Sequence, residues 1–475
     1  MAHLGFWPLV CCTGLLASAG DQERRANVLL LVADDLGVDK VSAYEPCTDP
    51  PAPNTPRIDA LADAGILFRR AYAYPLCSPA RACLQSGRWG FRTGIGTNIL
   101  MWESREFPLD EITIGEMLDR GGSGYAHAFF GKWHLGFHEH LGVPGDPQNP
   151  GYGHFVGSPK NFVRRKDPPR GYHLWDKTLD GETHLSETFA TTDLVDETLS
   201  WIQAQADTPW VATVAFHAPH TPLERPPGFD LPHEQPRRGD DWWPYHNALI
   251  ESMDTEIGRL LDTFERTAPA SHGRTLVVFI GDNGTARNKF PGDEASSVIF
   301  PPFERSHGKG TLFEGGIHVP LIASGYPIDP AARGSVSDAL VSIVDFFGTI
   351  ADIAGVDLED PEVIPRATQL DTISFLPVLQ DPSHPGRREW VYAEIFDDNL
   401  TPGAEFRGSR ALLDRDFKIV WTPSQTPPAD FSFYDLRDDP HERVDLLDPR
   451  QNADFSHYRS DFLRLRDELF ELFGL

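Results

Sequence analysis

Two pairs of oxygen-bearing side chains follow apolar segments that are far apart in the chain. Asp34 and Asp35 come just after the apolar run 28–32, and Asp282 and Asn283 come just after the run 275–280. Carboxylate and amide oxygens suit a hard divalent cation, Ca²⁺ or Mg²⁺, whereas zinc more often recruits His or Cys. The two pairs therefore predict a divalent-cation site, with polar turns as the alternative interpretation.

Four further segments carry nucleophilic, basic or cationic side chains. A single histidine or lysine of this kind is more often structural or solvated than catalytic, so the set matters more than any member. The members are Cys77 and Arg81 in Cys-Ser-Pro-Ala-Arg, Lys132 and His134 in Gly-Lys-Trp-His-Leu-Gly, His220 in Ala-Pro-His-Thr-Pro, and Lys309 in Gly-Lys-Gly-Thr-Leu-Phe-Glu-Gly-Gly.

The segment that starts at Cys77 resembles the sulfatase signature, C-x-P-x-R followed by a leucine and a T/S-G-R element, here Leu84 and residues 86–88. The other segments match motifs of the same family, in the same order, between residues 27 and 320. Tyr434-Asp435-Leu436 and Asp439-Pro440 are similar to its C-terminal element. The chain thus looks like a formylglycine-dependent type I sulfatase of the alkaline phosphatase superfamily.

The resemblance implies a modification and a metal. Cys77 is expected to be oxidised to formylglycine by a formylglycine-generating enzyme during maturation. One Ca²⁺ per chain is expected, with Mg²⁺ as the second choice. Its implied ligands are Asp34, Asp35, residue 77, Asp282 and Asn283.

Sulfate ester cleavage requires cations for the sulfate oxygens and a proton for the leaving oxygen. The resemblance implies that the hydrate of residue 77 attacks sulfur while Asp282, or a neighbouring metal-bound carboxylate, takes its proton. Lys132, Lys309 and the metal would bind the sulfate. His220 would protonate the leaving alcohol, with Lys309 as the alternative donor. His134 would take the proton that lets sulfate leave, and Arg81 would orient residue 77.

Some positions depart from the family pattern or stay open. Ala80 and Cys83 replace frequent serines, and His318 stands where arginine is frequent, which puts in doubt a substrate contact there. A further polar sulfate contact is expected from either Ser158 or Asn161. Whether Cys47 and Cys83 form a disulfide is not decided by the sequence.

The reactive residues need a scaffold that brings distant segments together. Apolar runs at 28–32, 125–130, 209–216 and 275–280 each lead into polar residues, and helix patterns alternate with them, including 55–65 and 246–264. Thr55 is expected to be the N-cap of the first helix, with Pro56 next. We predict an α/β fold with a large mixed, mostly parallel sheet flanked by helices, and one site beyond the strand ends.

Three regions are predicted along the chain. Residues 1–20 read as a signal peptide, with a buried N-terminal helix as the alternative, and residues 21–365 as the catalytic α/β domain. Residues 366–475 read as a smaller α+β domain with strands near 390–392, 417–421 and 433–436, an antiparallel sheet and a terminal helix. The apolar stripe of that helix is expected to pack in the core; it comprises Tyr458, Phe462, Leu465, Leu469 and Leu472.

The overall charge excludes one class of partner. With 42 Lys plus Arg against 70 Asp plus Glu, the net charge is −28 and the pI is about 4.9. Nucleic acid is therefore not expected as a partner. After the signal segment no run is long enough to span a bilayer, so a secreted or periplasmic protein is expected.

The main hypothesis is an extracytoplasmic sulfatase that acts on sulfate monoesters, with a sulfated glycan as the expected substrate. The alternatives are a phosphate or phosphonate ester hydrolase on the same scaffold, and a non-catalytic carbohydrate-binding relative. Basic and aromatic residues form either a positive substrate rim or an ordinary solvated loop, and Trp242, Trp243 and Tyr245 either stack on sugars or pack an insertion. The loop residues are Lys160, Arg164, Arg165, Lys166, Arg170, His173 and Trp175.

Overall fold

The computed structural model describes residues 25–44, 49–100, 106–136, 151–162, 166–287, 294–399, 408–423, 431–452 and 454–473. The predicted signal segment, Cys47, Arg164 and Arg165 lie outside these ranges. Across the described residues, no helix combines the length and apolar character that a membrane crossing requires.

Within those ranges the strands form two sheets. The larger sheet has ten strands in the order β10-β2-β9-β8-β1-β7-β3-β4-β5-β6, and the smaller has four in the order β11-β12-β13-β14. The strands of the larger sheet are β1 Asn27–Ala33, β2 Gly65–Tyr72, β3 Ala126–Lys132, β4 Phe155–Ser158, β5 Trp175–Leu179, β6 Glu182–Ser186, β7 Trp210–Ala215, β8 Thr275–Gly281, β9 Leu321–Gly325 and β10 Ser335–Ser342. Those of the smaller sheet are β11 Val391–Phe396, β12 Gly408–Leu413, β13 Phe417–Trp421 and β14 Phe431–Asp435.

Helices flank the larger sheet and close the smaller one. They are α1 Pro56–Asp63, α2 Cys77–Ser86, α3 Gly90–Thr93, α4 Ile114–Arg120, α5 Ala190–Ala204, α6 Trp243–Thr267, α7 Pro269–His272, α8 Glu314–Ile317, α9 Asp345–Ala354, α10 Leu376–Gln380 and α11 Arg459–Glu471. The predicted fold class, a mixed and mostly parallel sheet with helices and a separate antiparallel sheet, is confirmed.

The four predicted strands are neighbours at the centre of the larger sheet. They run parallel in the order β8, β1, β7, β3, and their ends are in register, with Ala33 opposite Gly281 and Ala215 opposite Gly131. Their polar continuations therefore leave the sheet along one edge, as expected for a ligand site in an α/β sheet.

Strand β1 shows how the sheet is covered on both faces. Leu29 and Leu31 pack in one apolar cluster with residues of α1, α5 and α6, whereas Leu30 and Val32 pack in another with α2 and α9. Alternate residues of a strand point to opposite faces of the sheet, so a wholly apolar strand is buried on both faces. This explains why the run before Asp34 contains no polar residue.

Thr55 is the N-cap residue of α1, as predicted, but its side chain does not cap the helix. Its hydroxyl instead contacts the backbone N–H of Ser42. The carboxylate of Asp254, on α6, accepts hydrogen bonds from the N–H groups of Arg57 at 3.0 Å and Ile58 at 2.8 Å. A side chain from a neighbouring helix thus takes the role of the cap.

The C-terminal helix packs as predicted. Leu465 and Leu469 of α11 are fully buried in the main core cluster, and Tyr458, Phe462 and Leu472 pack against that cluster. The aromatic and leucine stripe is therefore part of the core. The boundary predicted at residue 365 stays a prediction.

Candidate active site

Asp34 and Asp35 leave the end of β1 as adjacent buried carboxylates. Asp35 has a φ of 69°, the left-handed region, which turns the chain sharply after Asp34. Its backbone N–H donates to Oδ1 of Asp282 at 3.2 Å. The sequence-predicted pairs at positions 34–35 and 282–283 therefore meet at the ends of two adjacent strands.

Cys77 is the first residue of α2 and is completely buried. Its Sγ atom lies 3.2 Å from Oδ1 of Asp34, 3.8 Å from Oδ1 of Asp35 and 3.0 Å from Nζ of Lys309. Burial, together with Asp34, raises the pKa of the thiol above its ordinary value, although Lys132 and Lys309 oppose the shift. The thiol is therefore protonated at neutral pH.

Arg81 lies one helical turn after Cys77 and binds Asp282, the carboxylate of the second pair. Its Nε and Nη2 atoms donate to Oδ2 of Asp282 at 3.0 and 2.7 Å, and Nη1 donates to the carbonyl of Lys132. Burial and the nearby Asp34 raise the pKa of Asp282 to about 6 despite this guanidinium. Arg81 thus links α2 to the ends of β8 and β3.

Lys132 is the last residue of β3, and His134 lies two residues beyond the strand. Nζ of Lys132 donates to Oδ2 of Asp34. Although burial alone would raise the pKa of Asp34, Lys132 and other nearby cations hold it well below its usual value. Burial, with Lys132 and Arg81, holds the pKa of His134 well below its usual value. His134 is therefore a neutral base at neutral pH.

Both candidates for the extra sulfate contact lie beside this strand. Ser158 is opposite Lys132 in the sheet, and its hydroxyl lies 2.7 Å from Nε2 of His217. The Asn161 amide lies 3.2 Å from Nε2 of His134. His217 was not among the predicted site residues, because it lies just before the Ala-Pro-His-Thr-Pro motif that singled out His220. Ser158 and Asn161 are both still candidates for the extra sulfate contact.

Two glycines allow the strand ends to approach each other. A Cβ atom on Gly131, which has a φ of 98°, would lie 2.0 Å from the carbonyl oxygen of Ala215. A Cβ atom on Gly157 would lie 1.9 Å from the carbonyl oxygen of Gly131. Side chains at either position would push β3, β4 and β7 apart, and with them Lys132 and Ser158.

His220 faces the paired carboxylates. Its Nδ1 atom is 2.8 Å from the carbonyl of Thr221, so Nδ1 carries a proton, and Nε2 lies 4.0 Å from Oδ2 of Asp35. Burial, with Lys132, lowers the pKa of His220 to about 4 although the two aspartates oppose this. The imidazole is therefore neutral at pH 7, with its Nε2 lone pair directed toward the carboxylates.

Lys309 completes the cluster from a loop distant in sequence. Its ammonium group contacts Oδ1 of Asp35 as well as the Cys77 sulfur. Burial alone would lower the pKa of Lys309, but Asp35, Cys77 and Asp34 hold it well above its ordinary value. Lys309 therefore carries a full positive charge beside residue 77.

The two carboxylates and Asn283 offer oxygen donors to a hard cation, beside the softer donors Cys77 and His220. The ligand atoms of Asp34, Asp35, Cys77 and His220 lie within 4.8 Å of one another. Nδ2 of Asn283 is 2.9 Å from Oδ1 of Asp35, and Oδ1 of Asn283 is buried with no hydrogen-bond partner among the described residues. An unpartnered buried carbonyl beside two carboxylates is a suitable ligand for Ca²⁺ or Mg²⁺. Asp282 lies beside the cluster, with both oxygens engaged.

The basic loop does not present a free positive rim among the residues that are described. Lys166 and Arg170 both pair with Asp176, at 2.7 and 3.0 Å, and Lys160 and Trp175 are buried. Tyr245 is also buried, and its hydroxyl accepts the N–H of His233. These contacts favour the packing interpretation for Tyr245 and the ordinary-loop interpretation for 160–175. Trp242 and Trp243 are half-buried.

His318 turns away from the residue 77 cluster. Its ring stacks on Tyr72 with centroids 5.1 Å apart, and its nitrogens approach the carbonyl of Arg69 at 2.8 Å and Oε2 of Glu314 at 3.4 Å. No substrate contact is assigned to it. Cys83 is a buried free thiol.

Comparison with known proteins agrees with this architecture. The sulfatase family model matches residues 26–356. The N-acetylgalactosamine-6-sulfatase of Sus scrofa is 30% identical over 74% of this chain, which spans 66% of that relative, just under two thirds of its length. Arylsulfatase A of Bos taurus is 27% identical over 89% of this chain and 83% of its own.

Solved structures share the fold at lower identity. The crystal structure of Ps i-CgsB in complex with k-i-k-neocarrahexaose has a TM-score of 0.71 at 22% identity, covering 95% of this chain and 92% of the other. The phosphonate monoester hydrolase of Agrobacterium radiobacter has a TM-score of 0.65 at 22% identity, covering 95% and 96%. By its family match, the chain belongs to the sulfatase family of sulfuric ester hydrolases.

Proposed function

We propose that this chain is an extracytoplasmic sulfatase that hydrolyses sulfate monoesters of sugars through a formylglycine at position 77. The observation that carries the proposal is the position of Cys77. Its sulfur lies between a carboxylate, Asp34, at 3.2 Å and an ammonium group, Lys309, at 3.0 Å, at the first residue of a helix. A nucleophile there has a proton acceptor on one side and positive charge for an anionic substrate on the other.

Oxidation of Cys77 gives the site a nucleophile that the thiol cannot supply. A protonated thiol is a weak nucleophile. Formylglycine supplies an aldehyde whose hydrate has two hydroxyl groups, one to attack sulfur and one to release the enzyme. Asp282, whose raised pKa suits a base, or Asp34, whose Oδ1 lies 3.2 Å from the Cys77 sulfur, accepts the proton from the attacking group. Arg81 fixes the helix that carries this residue.

The remaining charged residues act on the sulfate group. Lys132 and Lys309 bind its oxygens, since both ammonium groups lie within the carboxylate cluster. In its protonated form, His220 donates a proton from Nε2 to the leaving alcohol, and the neutral His134 accepts the proton that releases sulfate. Asp34, Asp35, residue 77, Asp282 and Asn283 would hold a Ca²⁺ ion, which would supply further positive charge for the sulfate oxygens.

The relatives indicate which sugar to test first. Several curated relatives are N-acetylgalactosamine-6-sulfatases, and those of Sus scrofa and Homo sapiens are 30% and 29% identical to this chain. A 6-O-sulfated N-acetylgalactosamine is therefore the first candidate substrate. Secretion or periplasmic export is part of the proposal, and it is supported by the signal-like segment at residues 1–20.

The experiment is a release assay on matched esters. Protein made together with a formylglycine-generating enzyme is offered N-acetylgalactosamine 6-sulfate, an aryl sulfate, an aryl phosphate and a phosphonate monoester. We expect sulfate release from the first two at rates at least tenfold above release from the phosphorus esters, a difference of about 1.4 kcal/mol in barrier height. A preference for either phosphorus ester would contradict the proposal and favour the alternative hydrolase.

A further inference from the structure

The loop that carries Lys309 is held at two backbone positions. The N–H of Lys309 donates to the carbonyl of Thr285 at 2.9 Å, and the N–H of Gly310 donates to the carbonyl of Pro75 at 2.7 Å. The loop then enters α8 at Glu314. The N–H of Gly284, next to Asn283, donates to the carbonyl of Gly316 in this helix at 2.9 Å. The position of α8 therefore affects both Lys309 and the turn after β8.

A buried ion cluster fixes the start of α8 from the C-terminal region. Nζ of Lys418, on β13, lies 3.0 Å from Oε1 of Glu314 and 2.7 Å from Oε1 of Glu442. The second oxygen of Glu442 accepts the backbone N–H of Glu314 at 2.5 Å. The Lys418 side chain is completely shielded from solvent, and the two glutamates are 4% or less exposed.

Such a cluster fixes geometry more than it adds stability. Taking an ion pair out of water costs about as much as the attraction returns, so apolar replacements are often equally stable. The cluster does, however, hold one carboxylate at one place, because Lys418 and His318 contact the two oxygens of Glu314 and Glu442 accepts its backbone N–H. The group it holds lies five residues after Lys309.

We propose that Lys418 is a positioning residue for Lys309, acting through Glu314 and α8. This inference rests on the proposed function of Lys309 in sulfate binding. The C-terminal sheet thereby contributes to the active site without contacting the substrate. Loss of Lys418 leaves two carboxylates without their shared cation, so that α8 and the loop before it shift relative to residue 77.

Arg388 offers a matched control. It is also a buried cation that joins the segment after residue 365 to the larger domain, with Nε donating to Oδ2 of Asp345 at 2.7 Å. Among the described residues, none of its contacts is in α8 or the Lys309 loop. Lys418→Met and Arg388→Met therefore each remove one buried cation, and only the first is connected to Lys309.

The first test compares turnover. Because a misplacement of about 1 Å can cost about 100-fold, we expect Lys418→Met to lower kcat about 10- to 100-fold and Arg388→Met less than about threefold. Lys418→Arg is expected to restore part of the loss. In a Lys309→Ala background, Lys418→Met should lower kcat by no more than about threefold, since residues that act as one unit are not additive. Equal losses in Lys418→Met and Arg388→Met, or full additivity with Lys309→Ala, would overturn the inference.

Two further measurements make every outcome decisive. If Lys418→Met does not fold, Lys418→Met with Glu442→Gln removes the cation while leaving the net charge of the cluster unchanged, and the same loss is expected.

Amide hydrogen exchange of the peptide covering residues 308–317 tests positioning without any substrate. Exchange should be at least about tenfold faster in Lys418→Met and unchanged in Arg388→Met. If wild type releases no sulfate but exchange differs in this way, the proposed function fails and the positioning stands; equal exchange in both variants overturns the positioning.

Discussion

The ammonium group of Lys309 lies 3.0 Å from the sulfur of Cys77, although 231 residues separate them in the chain. Even so, burial keeps the pKa of the thiol above its ordinary value, so this cation does not turn Cys77 into a thiolate. The side chain is in position to react, but a protonated thiol is a weak nucleophile. This combination is the physical reason to expect oxidation of residue 77 before catalysis.

Loss of Arg81 should affect both stability and activity. Arg81→Met leaves Asp282 buried without its bidentate partner, and removal of one member of a buried ion pair costs about 3–5 kcal/mol. We expect a loss of this size in the free energy of unfolding by urea and at least a 100-fold loss of sulfate release. Arg388→Met is the control, since it breaks a similar buried pair with Asp345 but should retain turnover. Equal residual activity in both variants would show that Arg81 has only a structural role.

Much of this site could be predicted from sequence. Strands β1, β3, β7 and β8 are recognisable because each is a short apolar run that ends in polar residues, and the residues that follow them meet as predicted. Strand β2 was not predicted, because Arg69 and Arg70 interrupt its apolar pattern, and β9 runs antiparallel between β2 and β8, which a pattern of single runs does not reveal.

Contacts between side chains were harder to predict from the sequence. The position of His220 in the cluster with Asp34, Asp35 and Cys77, the pairing of Ser158 with His217, and the cap that Asp254 supplies to α1 all depend on tertiary packing. The roles of the individual site residues remain predictions, and the experiments below address them.

Binding of a divalent cation should be measurable as a gain in stability. Because Lys132 and Lys309 balance the buried carboxylates, the metal-free protein is expected to fold. Ca²⁺ at about 100 times its Kd should then add about 2.7 kcal/mol to the free energy of unfolding. Asn283→Leu should lose most of this gain, and chelation should reverse it in wild type. Asn247 also has a buried, unpartnered Oδ1, so Asn247→Leu is the matched control and should keep the gain. A gain unaffected by Asn283→Leu would place the cation elsewhere.

The pH dependence of turnover should identify the proton donor. His220 must be protonated to act as an acid, and burial lowers its pKa to about 4. We therefore expect kcat to fall up to tenfold per pH unit as the pH rises above about 4, and His220→Gln to remove this limb. Lys309, whose pKa is raised, stays charged throughout that range. If His220→Gln instead lowers kcat by the same factor at every pH, the proton donor is Lys309.

Buried neutral histidines should make the fold sensitive to acid. His246 is 1% exposed, neither of its ring nitrogens has a partner among the described residues, and burial with Lys40 lowers its pKa to about 3. Below its ordinary pKa of 6.5 the unfolded chain binds a proton that the folded chain does not. Its contribution to stability is complete above 6.5 and is lost as the pH falls, by about 1.4 kcal/mol per unit.

Urea unfolding at a series of pH values tests this effect. His246→Gln should show a shallower loss of stability between pH 6.5 and about 3 than wild type. His184, which is exposed, provides a control that should leave the slope unchanged. Identical slopes for wild type and His246→Gln would mean that His246 takes up its proton in the folded state at its ordinary pKa.

The most direct test of the account is the chemical state of residue 77 measured together with turnover. The tryptic peptide of residues 71–81 reports by mass whether Cys77 has become formylglycine, in protein made with and without a formylglycine-generating enzyme. We predict that sulfate release rises in proportion to the converted fraction, and that Cys77→Ser, which has a single hydroxyl group, gives no multiple turnover. Full-rate sulfate release by unconverted Cys77 protein, or by Cys77→Ser, would contradict the account.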